Sequence, residues 1–185
     1  RLVAVICIED PLKDGAVEAI DSLRAAGFSK IIMMTGDSER TAGTIAKAIG
    51  VDEYYSEVLP DEKADYVLKC KESGSKVIMV GDGINDSPAL SAADAGIAMS
   101  DGAEIAREIA DVTIASEDLL ELVALKKLSL SMMRRIRSNF KKIVTINTGL
   151  IVLGAIGAIP ATTSALIHNA STIAIGVGSM SKLEE

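Results

Sequence analysis

The sequence predicts an α/β domain built on a parallel sheet, followed by a hairpin of two membrane-spanning helices. Two observations support this fold class. In residues 1–118, short apolar runs alternate with amphipathic helical segments, which is typical of βαβ units. In residues 143–181, 39 consecutive positions include no Asp, Glu, Lys or Arg, and about 20 apolar residues suffice for one membrane span.

The charge distribution separates the same two regions. Residues 1–118 carry 11 Lys and Arg against 23 Asp and Glu, whereas residues 119–185 carry 8 against 3. The acidic first region argues against a surface for nucleic acid, so no nucleic-acid partner is expected. Cys7 and Cys70 lack Cys-x-x-Cys spacing, and we expect them to be reduced thiols that hold no metal.

Six strands and five helices are predicted in residues 1–118. The strands are short apolar runs, as expected of a parallel sheet covered on both faces: residues 2–8, 31–34, 54–56, 77–80, 96–99 and 112–114. The helices occupy residues 14–26 and 38–49, a segment that opens at Pro60, one that opens near Ser87, and residues 103–109. Gly27 and Gly50 are placed to end the first two helices, and proline is favoured in a first helical turn.

The remaining residues divide into three segments. Residues 119–142 form an amphipathic basic helix that leads into the hairpin of residues 143–181, which turns near Pro160, and residues 182–185 form a tail. A basic cluster lies directly before the first span and consists of Arg134, Arg135, Arg137, Lys141 and Lys142. The positive-inside rule therefore places that end and the tail in the cytoplasm. The alternative, a buried hairpin in a soluble protein, is disfavoured by the length of the uncharged run.

Polar residues follow two of the predicted strands, at the edge of a parallel sheet where ligands gather. Thr35 can donate a hydroxyl hydrogen bond to a phosphoryl oxygen after the strand at 31–34. Asp82 and Asp86 follow the strand at 77–80 and form a pair of hard oxygen ligands that suits Mg²⁺. Lys63, just inside the helix that opens at Pro60, can place a positive charge over the same phosphoryl oxygens.

Four motifs in this order resemble one protein family. They are Asp10-Pro11-Leu12-Lys13, Met34-Thr35-Gly36-Asp37, Pro60-Asp61-Glu62-Lys63 and Gly81-Asp82-Gly83-Ile84-Asn85-Asp86-Ser87-Pro88-Ala89-Leu90. The sequence resembles the phosphorylation domain of the P-type ATPases, cation pumps of the haloacid dehalogenase superfamily. The resemblance implies a Rossmann-like parallel sheet, ATP as phosphoryl donor, Mg²⁺ as cofactor and an aspartyl-phosphate intermediate.

The resemblance also implies roles for the residues that follow the predicted strands at 77–80 and 31–34. Asp82 would ligate Mg²⁺, and Asp86 would support that magnesium site. Thr35 and the Gly36 amide would contact the phosphoryl group, together with Asn85. These are roles in positioning and charge stabilisation, which phosphoryl transfer chiefly requires.

Three further residues receive roles from the same resemblance. Lys63 would neutralise phosphoryl charge, Asp37 would lie on the nucleotide side of the site, and Asp10 would help to close the hinge to the nucleotide-binding domain. The family's phosphorylated aspartate lies in an Asp-Lys-Thr-Gly-Thr motif, which does not occur in this sequence. We therefore expect a C-terminal portion of a longer pump, inactive alone, whose main partner is the missing N-terminal part.

The hairpin resembles the heavy-metal branch of the family, in which two spans follow the phosphorylation domain. His168 and Thr172 are one helical turn apart and match a His-x-x-x-Thr pattern of that branch, and Asn147 lies in the other span. These three are candidate ligands of the transported cation, since polar groups within a membrane are functional candidates. The alternative is that they only hydrogen-bond between helices. The metal stays open among zinc, cadmium, cobalt, manganese and copper, and export across the cell membrane is the family expectation.

Two functions other than a pump remain open. A membrane-anchored phosphatase of the same superfamily would need a catalytic aspartate after an early strand, for which Asp10 is the candidate. A membrane-anchored regulatory module would keep an inactive phosphate site.

Overall fold

The computed structural model describes residue 12 and residues 15–82, 85–99, 108–116 and 118–182. The chain divides into two compact units, Arg1–Val123 and Ala124–Glu185. The predicted strand at residues 2–8, the site residue Asp10 and most of the predicted helix at 103–109 lie outside the described residues.

The first unit alternates strands and helices where the sequence predicts them. The strands are β1 (Ile32–Met34), β2 (Glu53–Tyr55), β3 (Ile78–Gly81), β4 (Ala95–Met99) and β5 (Val112–Ile114). The helices are α1 (Ala16–Ala25), α2 (Glu39–Ile49), α3 (Pro60–Glu72) and α4 (Ser87–Ala92). Gly27 and Gly50 follow α1 and α2 with φ of 98° and 75°, the left-handed conformation that commonly ends a helix.

All described strand pairs are parallel, which confirms the predicted sheet type. β1 pairs with β2, with Met33 opposite Tyr54. β4 lies between β3 and β5, with Val80 opposite Ile97 and Ala98 opposite Thr113. In each ladder the loops that follow the strands therefore leave from one edge.

A small apolar core fixes the two strands that precede the candidate site. Val67, Met79, Ala89 and Leu90 form a buried cluster, and Met34 packs against it. Met34 is the last residue of β1 and directly precedes Thr35, while Met79 lies three residues before Asp82. The loops with the polar motifs therefore leave a common core.

Three aspartates repeat one contact at the entrances of the strands. Each precedes a strand and accepts a hydrogen bond from an amide at the entrance of the neighbouring strand, which a parallel ladder would otherwise leave unpaired. The pairs are Ile31 N to Asp52 Oδ2 at 2.7 Å, Val77 N to Asp94 Oδ2 at 2.9 Å, and Gly96 N to Asp111 Oδ2 at 2.8 Å. The contact at Asp52 places the start of β2 at Glu53, one residue before the predicted start.

These contacts predict the behaviour of the first unit in acid. The Val77 amide and then the Lys76 ammonium lower the pKa of Asp94 below its usual 3.8, and Arg24 with the Ile31 amide lowers the pKa of Asp52. A lowered folded-state pKa gives stability that is present above the unfolded pKa and lost as the pH falls through the folded one. We expect the midpoint of chemical denaturation, followed by circular dichroism, to decrease as the pH is lowered below about 4.

Asp94→Asn is the informative variant for this prediction. It keeps a side-chain oxygen that can accept the Val77 amide but removes the titrating carboxyl, so the loss of stability in acid should become smaller. An unchanged acid profile in this variant would contradict the role given to Asp94.

The second unit contains a helical hairpin. Helix α5 (Leu120–Ala155) continues into it, and helix α6 (Ala161–Ser179) follows a turn in which Gly157 has φ of 72°. Pro160 is the residue before α6, where the sequence predicts the turn. Among the described residues, no helix combines the length and apolarity that crossing a membrane requires. The membrane placement of the hairpin therefore stays a prediction.

A fixed arginine joins the two ends of the hairpin. The Arg135 guanidinium donates to the carbonyl oxygens of Ser179 at 3.2 Å, of Ser181, and of Lys182 at 2.7 Å. Asn139 Nδ2 donates to Ser179 Oγ at 2.7 Å. The last carbonyls of a helix lack partners within it, so Arg135 supplies donors and a favourable positive charge at that end.

Candidate functional site

Thr35 and Asp37 form a closed turn at the end of β1. Thr35 Oγ1 donates to Asp37 Oδ2 at 2.9 Å and accepts from the Asp37 amide at 3.1 Å. The Thr35 amide donates to the Tyr55 carbonyl at 3.0 Å, which extends the β1–β2 ladder by one bond. Among the residues that the structure describes, a Cβ at Gly36 would meet only the Val58 carbonyl oxygen, 4.0 Å away, so these residues leave room beside the backbone of the turn.

Asp86 and Lys63 form an ion pair beside β3. Lys63 Nζ lies 2.7 Å from Asp86 Oδ1, and each side chain is only 13% exposed. Asp86 sits directly before α4, where its carbonyl accepts the Leu90 amide at 2.8 Å. A Cβ at Gly81 would lie 2.7 Å from Asp86 Cβ, so a glycine is required where this aspartate folds back over the strand.

Local hydrogen bonds stabilise the first turn of α3, which contains Lys63, and the loop after β3, which contains Asp82. Lys63 lies in the first turn of α3, which begins at Pro60, and Glu62 Oε2 accepts the Leu59 amide at 2.8 Å to close that turn. Asp82 Oδ1 accepts the Asn85 amide at 3.4 Å, and Asp82 is exposed. The structure therefore brings the predicted residues together as three pairs: Thr35 with Asp37, Lys63 with Asp86, and Asp82 with Asn85.

Asp82 and Asp86 are candidate ligands of a magnesium ion. Among the residues that the structure describes, no three His, Cys, Asp or Glu side chains cluster closely enough to hold a metal. Mg²⁺ is usually held by one or two carboxylates, with phosphate and water completing its shell. Asp82 and Asp86 supply hard oxygens of that kind.

The second unit contains the other predicted site. His168 Nδ1 lies 2.8 Å from Asn147 Oδ1, and both residues line a cavity of about 650 Å³ between α5 and α6. Thr172 Oγ1 donates to the His168 carbonyl at 2.9 Å. The structure thus pairs Asn147 directly with His168 and commits the hydroxyl hydrogen of Thr172 to the helix backbone.

Sequence reasoning missed the contacts of Arg135 and Asn139 with the end of α6. The basic cluster was visible as a charge pattern, but its partners are backbone carbonyls more than 40 positions away. Every residue has a backbone carbonyl, so the sequence does not indicate which carbonyls accept these hydrogen bonds. Only the approximate symmetry of a hairpin about Pro160 could have indicated which residues meet.

Comparisons with known proteins identify the family. Residues 1–94 match the haloacid dehalogenase-like hydrolases, and the chain belongs to this family.

The similarity extends further along the chain to heavy-metal pumps. A manganese-exporting P-type ATPase of Mycobacterium leprae is 39% identical over 94% of this chain. Copper-transporting ATPase 1 of Rhizobium meliloti is 44% identical over 84% of it. A crystal structure of a zinc-transporting PIB-type ATPase in its E2.Pi state superposes on 93% of the chain with a TM-score of 0.85 and 32% identity.

These relatives confirm the resemblance to heavy-metal-transporting P-type ATPases that the motifs predict. The chain spans 24% and 19% of the length of the two curated relatives and 28% of the zinc-transporting structure. It therefore corresponds to about a quarter of such a protein.

Proposed function

We propose that this chain is part of an ATP-driven heavy-metal pump, in which it supplies the Mg²⁺ and phosphoryl site and one part of the metal path. The observation that carries the proposal is the Lys63–Asp86 ion pair, together with the exposed Asp82 that directly follows β3. A largely buried cation paired with one carboxylate, with a second carboxylate four residues earlier in the same loop, is an arrangement that can receive a phosphoryl group together with Mg²⁺.

The residues of the first unit take distinct roles in this proposal. Asp82 and Asp86 hold Mg²⁺, which would neutralise phosphoryl charge when bound. Lys63, already fixed by Asp86 at 2.7 Å, adds a positive charge at the same place. The Asn85 side chain donates to a phosphoryl oxygen.

The turn after β1 binds the other side of the phosphoryl group. The Thr35 hydroxyl, which now donates to Asp37, can turn toward a phosphoryl oxygen while its oxygen stays fixed by the Asp37 amide. The space beside Gly36 admits the phosphoryl group to its amide. Asp37 lies toward the nucleotide, and Asp10 belongs to the hinge of the nucleotide-binding domain.

We propose that residues 143–181 cross the membrane twice and that the first unit lies in the cytoplasm. The uncharged run of 39 residues and the basic segment before it support this placement. The hairpin of α5 and α6 and the superposition of 93% of the chain on a zinc-transporting pump support it as well.

His168 is the proposed ligand of the transported cation. Imidazole suits first-row transition metals, and the names of similar proteins include manganese, zinc and copper. In this proposal the Nδ1–H group of His168 donates to Asn147 Oδ1, 2.8 Å away, which leaves Nε2 to bind the metal. Asn147 then orients the imidazole, as outer partners of metal-binding histidines commonly do, and Thr172 supports the same turn.

The single histidine of the chain makes this orientation measurable. We expect nitrogen NMR of the isotopically labelled chain in detergent to show the neutral Nδ1–H tautomer. Asn147→Leu should lose that preference, whereas Asn147→Asp, which keeps an acceptor oxygen, should retain it. A neutral Nε2–H tautomer in the unaltered chain would contradict the assignment.

Phosphorylation by labelled ATP tests the proposed function as a whole. The isolated chain should form no acid-stable phosphoprotein, and the chain joined to the missing part of the pump should form one. Acid-stable label on the isolated chain would contradict the pump assignment. Hydrolysis of a simple phosphate ester by the isolated chain, lost in Asp10→Asn, would instead favour the membrane-anchored phosphatase.

A further inference from the structure

A basic cavity lies in the second unit where the end of α6 meets α5. Its volume is about 470 Å³, within the range of roughly 300–1,000 Å³ that is common for ligand pockets. Three cations line it: Arg134, Arg135 and Lys142. Ser138 and Asn139 complete the polar wall, and all five residues belong to α5.

Among the described residues of the second unit, no carboxylate balances these charges. Residues 124–182 include no Asp or Glu. Arg135 is bound to backbone carbonyls of the α6 end, which are neutral, so its charge persists while its position is fixed. Arg and Lys offer only donors. The cavity therefore suits a ligand with negative charge and several acceptor oxygens.

The opposite wall and the place of the cavity indicate that the ligand also carries hydrocarbon. Ala174, Ile175 and Gly178 of α6 line the other side, and the uncharged run begins at position 143, directly after Lys142. A free phosphate ion has no apolar part that could contact this wall or the long apolar segment beside it. A phospholipid has both a charged phosphate and hydrocarbon chains.

We propose that this cavity binds the headgroup phosphate of an anionic phospholipid, with the acyl chains along α6. Arg135 forms the fixed base of the site, and its contacts with α6 keep the two helices together. Arg134 and Lys142, about 12 Å apart along α5 at 1.5 Å per residue, supply exposed cations on either side of it. The proposal rests on the membrane placement of the hairpin, and basic pockets between membrane helices on the cytoplasmic side are known to hold such headgroups.

A pair of double variants with equal charge tests the site. The full chain is reconstituted into bilayers of phosphatidylcholine alone or with phosphatidylglycerol, and bound lipid is measured by native mass spectrometry. Arg134→Gln with Lys142→Gln removes two cavity cations. Arg137→Gln with Lys141→Gln removes two cations that do not line the cavity. We expect the cavity pair to lose about tenfold in phosphatidylglycerol binding and the control pair to lose less than about threefold.

The outcomes separate this proposal from the function on which it rests. Equal losses in the two double variants would overturn the site and leave the membrane placement intact, because diffuse attraction to the bilayer would then explain binding. Displacement of bound phosphatidylglycerol by glycerol phosphate at equal phosphate concentration would overturn the lipid as ligand. Failure of the chain to enter either bilayer would contradict the membrane placement, and with it this site.

Discussion

Asp82→Asn in a complete pump that contains this chain is expected to lower the rate of phosphoenzyme formation by about 10²–10³-fold. The change removes a proposed Mg²⁺ ligand and leaves a side chain of nearly the same shape. Asp82 is exposed at the end of β3, so the fold should not depend on it. Rapid-quench measurement of acid-stable label from γ-labelled ATP gives the rate.

Asp65→Asn is the matched control for this prediction. Asp65 lies on α3, two residues from Lys63, and its side chain faces solvent. The control should phosphorylate at the unaltered rate. If Asp82→Asn does the same at limiting Mg²⁺, the magnesium role of Asp82 is wrong.

His168→Ala in the same pump is expected to weaken activation by the transported metal by about 100-fold or more, since loss of even an outer partner costs about 10–100-fold in metal affinity. The change removes the imidazole that Asn147 orients at 2.8 Å. Metal titration of ATPase activity measures the effect, with manganese, zinc and copper tested in turn.

Asn169→Ala is the control on the same helix. Asn169 is exposed, and it does not line the cavity that contains Asn147 and His168. It should leave metal activation unchanged. Equal metal activation in His168→Ala and the unaltered pump would show that the imidazole only hydrogen-bonds between helices.

The local structure of the first unit could be predicted because its signals are local. Apolar runs mark β1 and β3, and Gly27 and Gly50 mark helix ends by a conformation that glycine adopts at little cost. The order of these elements then implies parallel strands, and the candidate residues fall after them. The roles of those residues came from the motifs and not from the periodicity.

The pairings could not be predicted, because they join residues far apart in the sequence. Lys63 and Asp86 were both expected near a phosphoryl group, but their direct ion pair across 23 positions depends on how α3 packs near α4. The Asp94–Val77 contact depends on strand order in the same way. Thr172 is a candidate metal ligand by sequence, and the sequence did not indicate that its hydroxyl donates to the His168 carbonyl four residues earlier, as threonines within helices often do.

Metal-dependent phosphorylation of the complete pump in sealed vesicles, measured together with metal movement across the membrane, tests the proposed function most directly. We expect that adding the transported metal on the side that binds ATP stimulates phosphoenzyme turnover and drives the metal to the other side. We expect Asp82→Asn to slow both by about 10²–10³-fold, and His168→Ala to raise the metal concentration that both require by about 100-fold or more. Phosphoenzyme turnover that no transition metal affects would contradict the coupling of the two sites that this chain is proposed to carry.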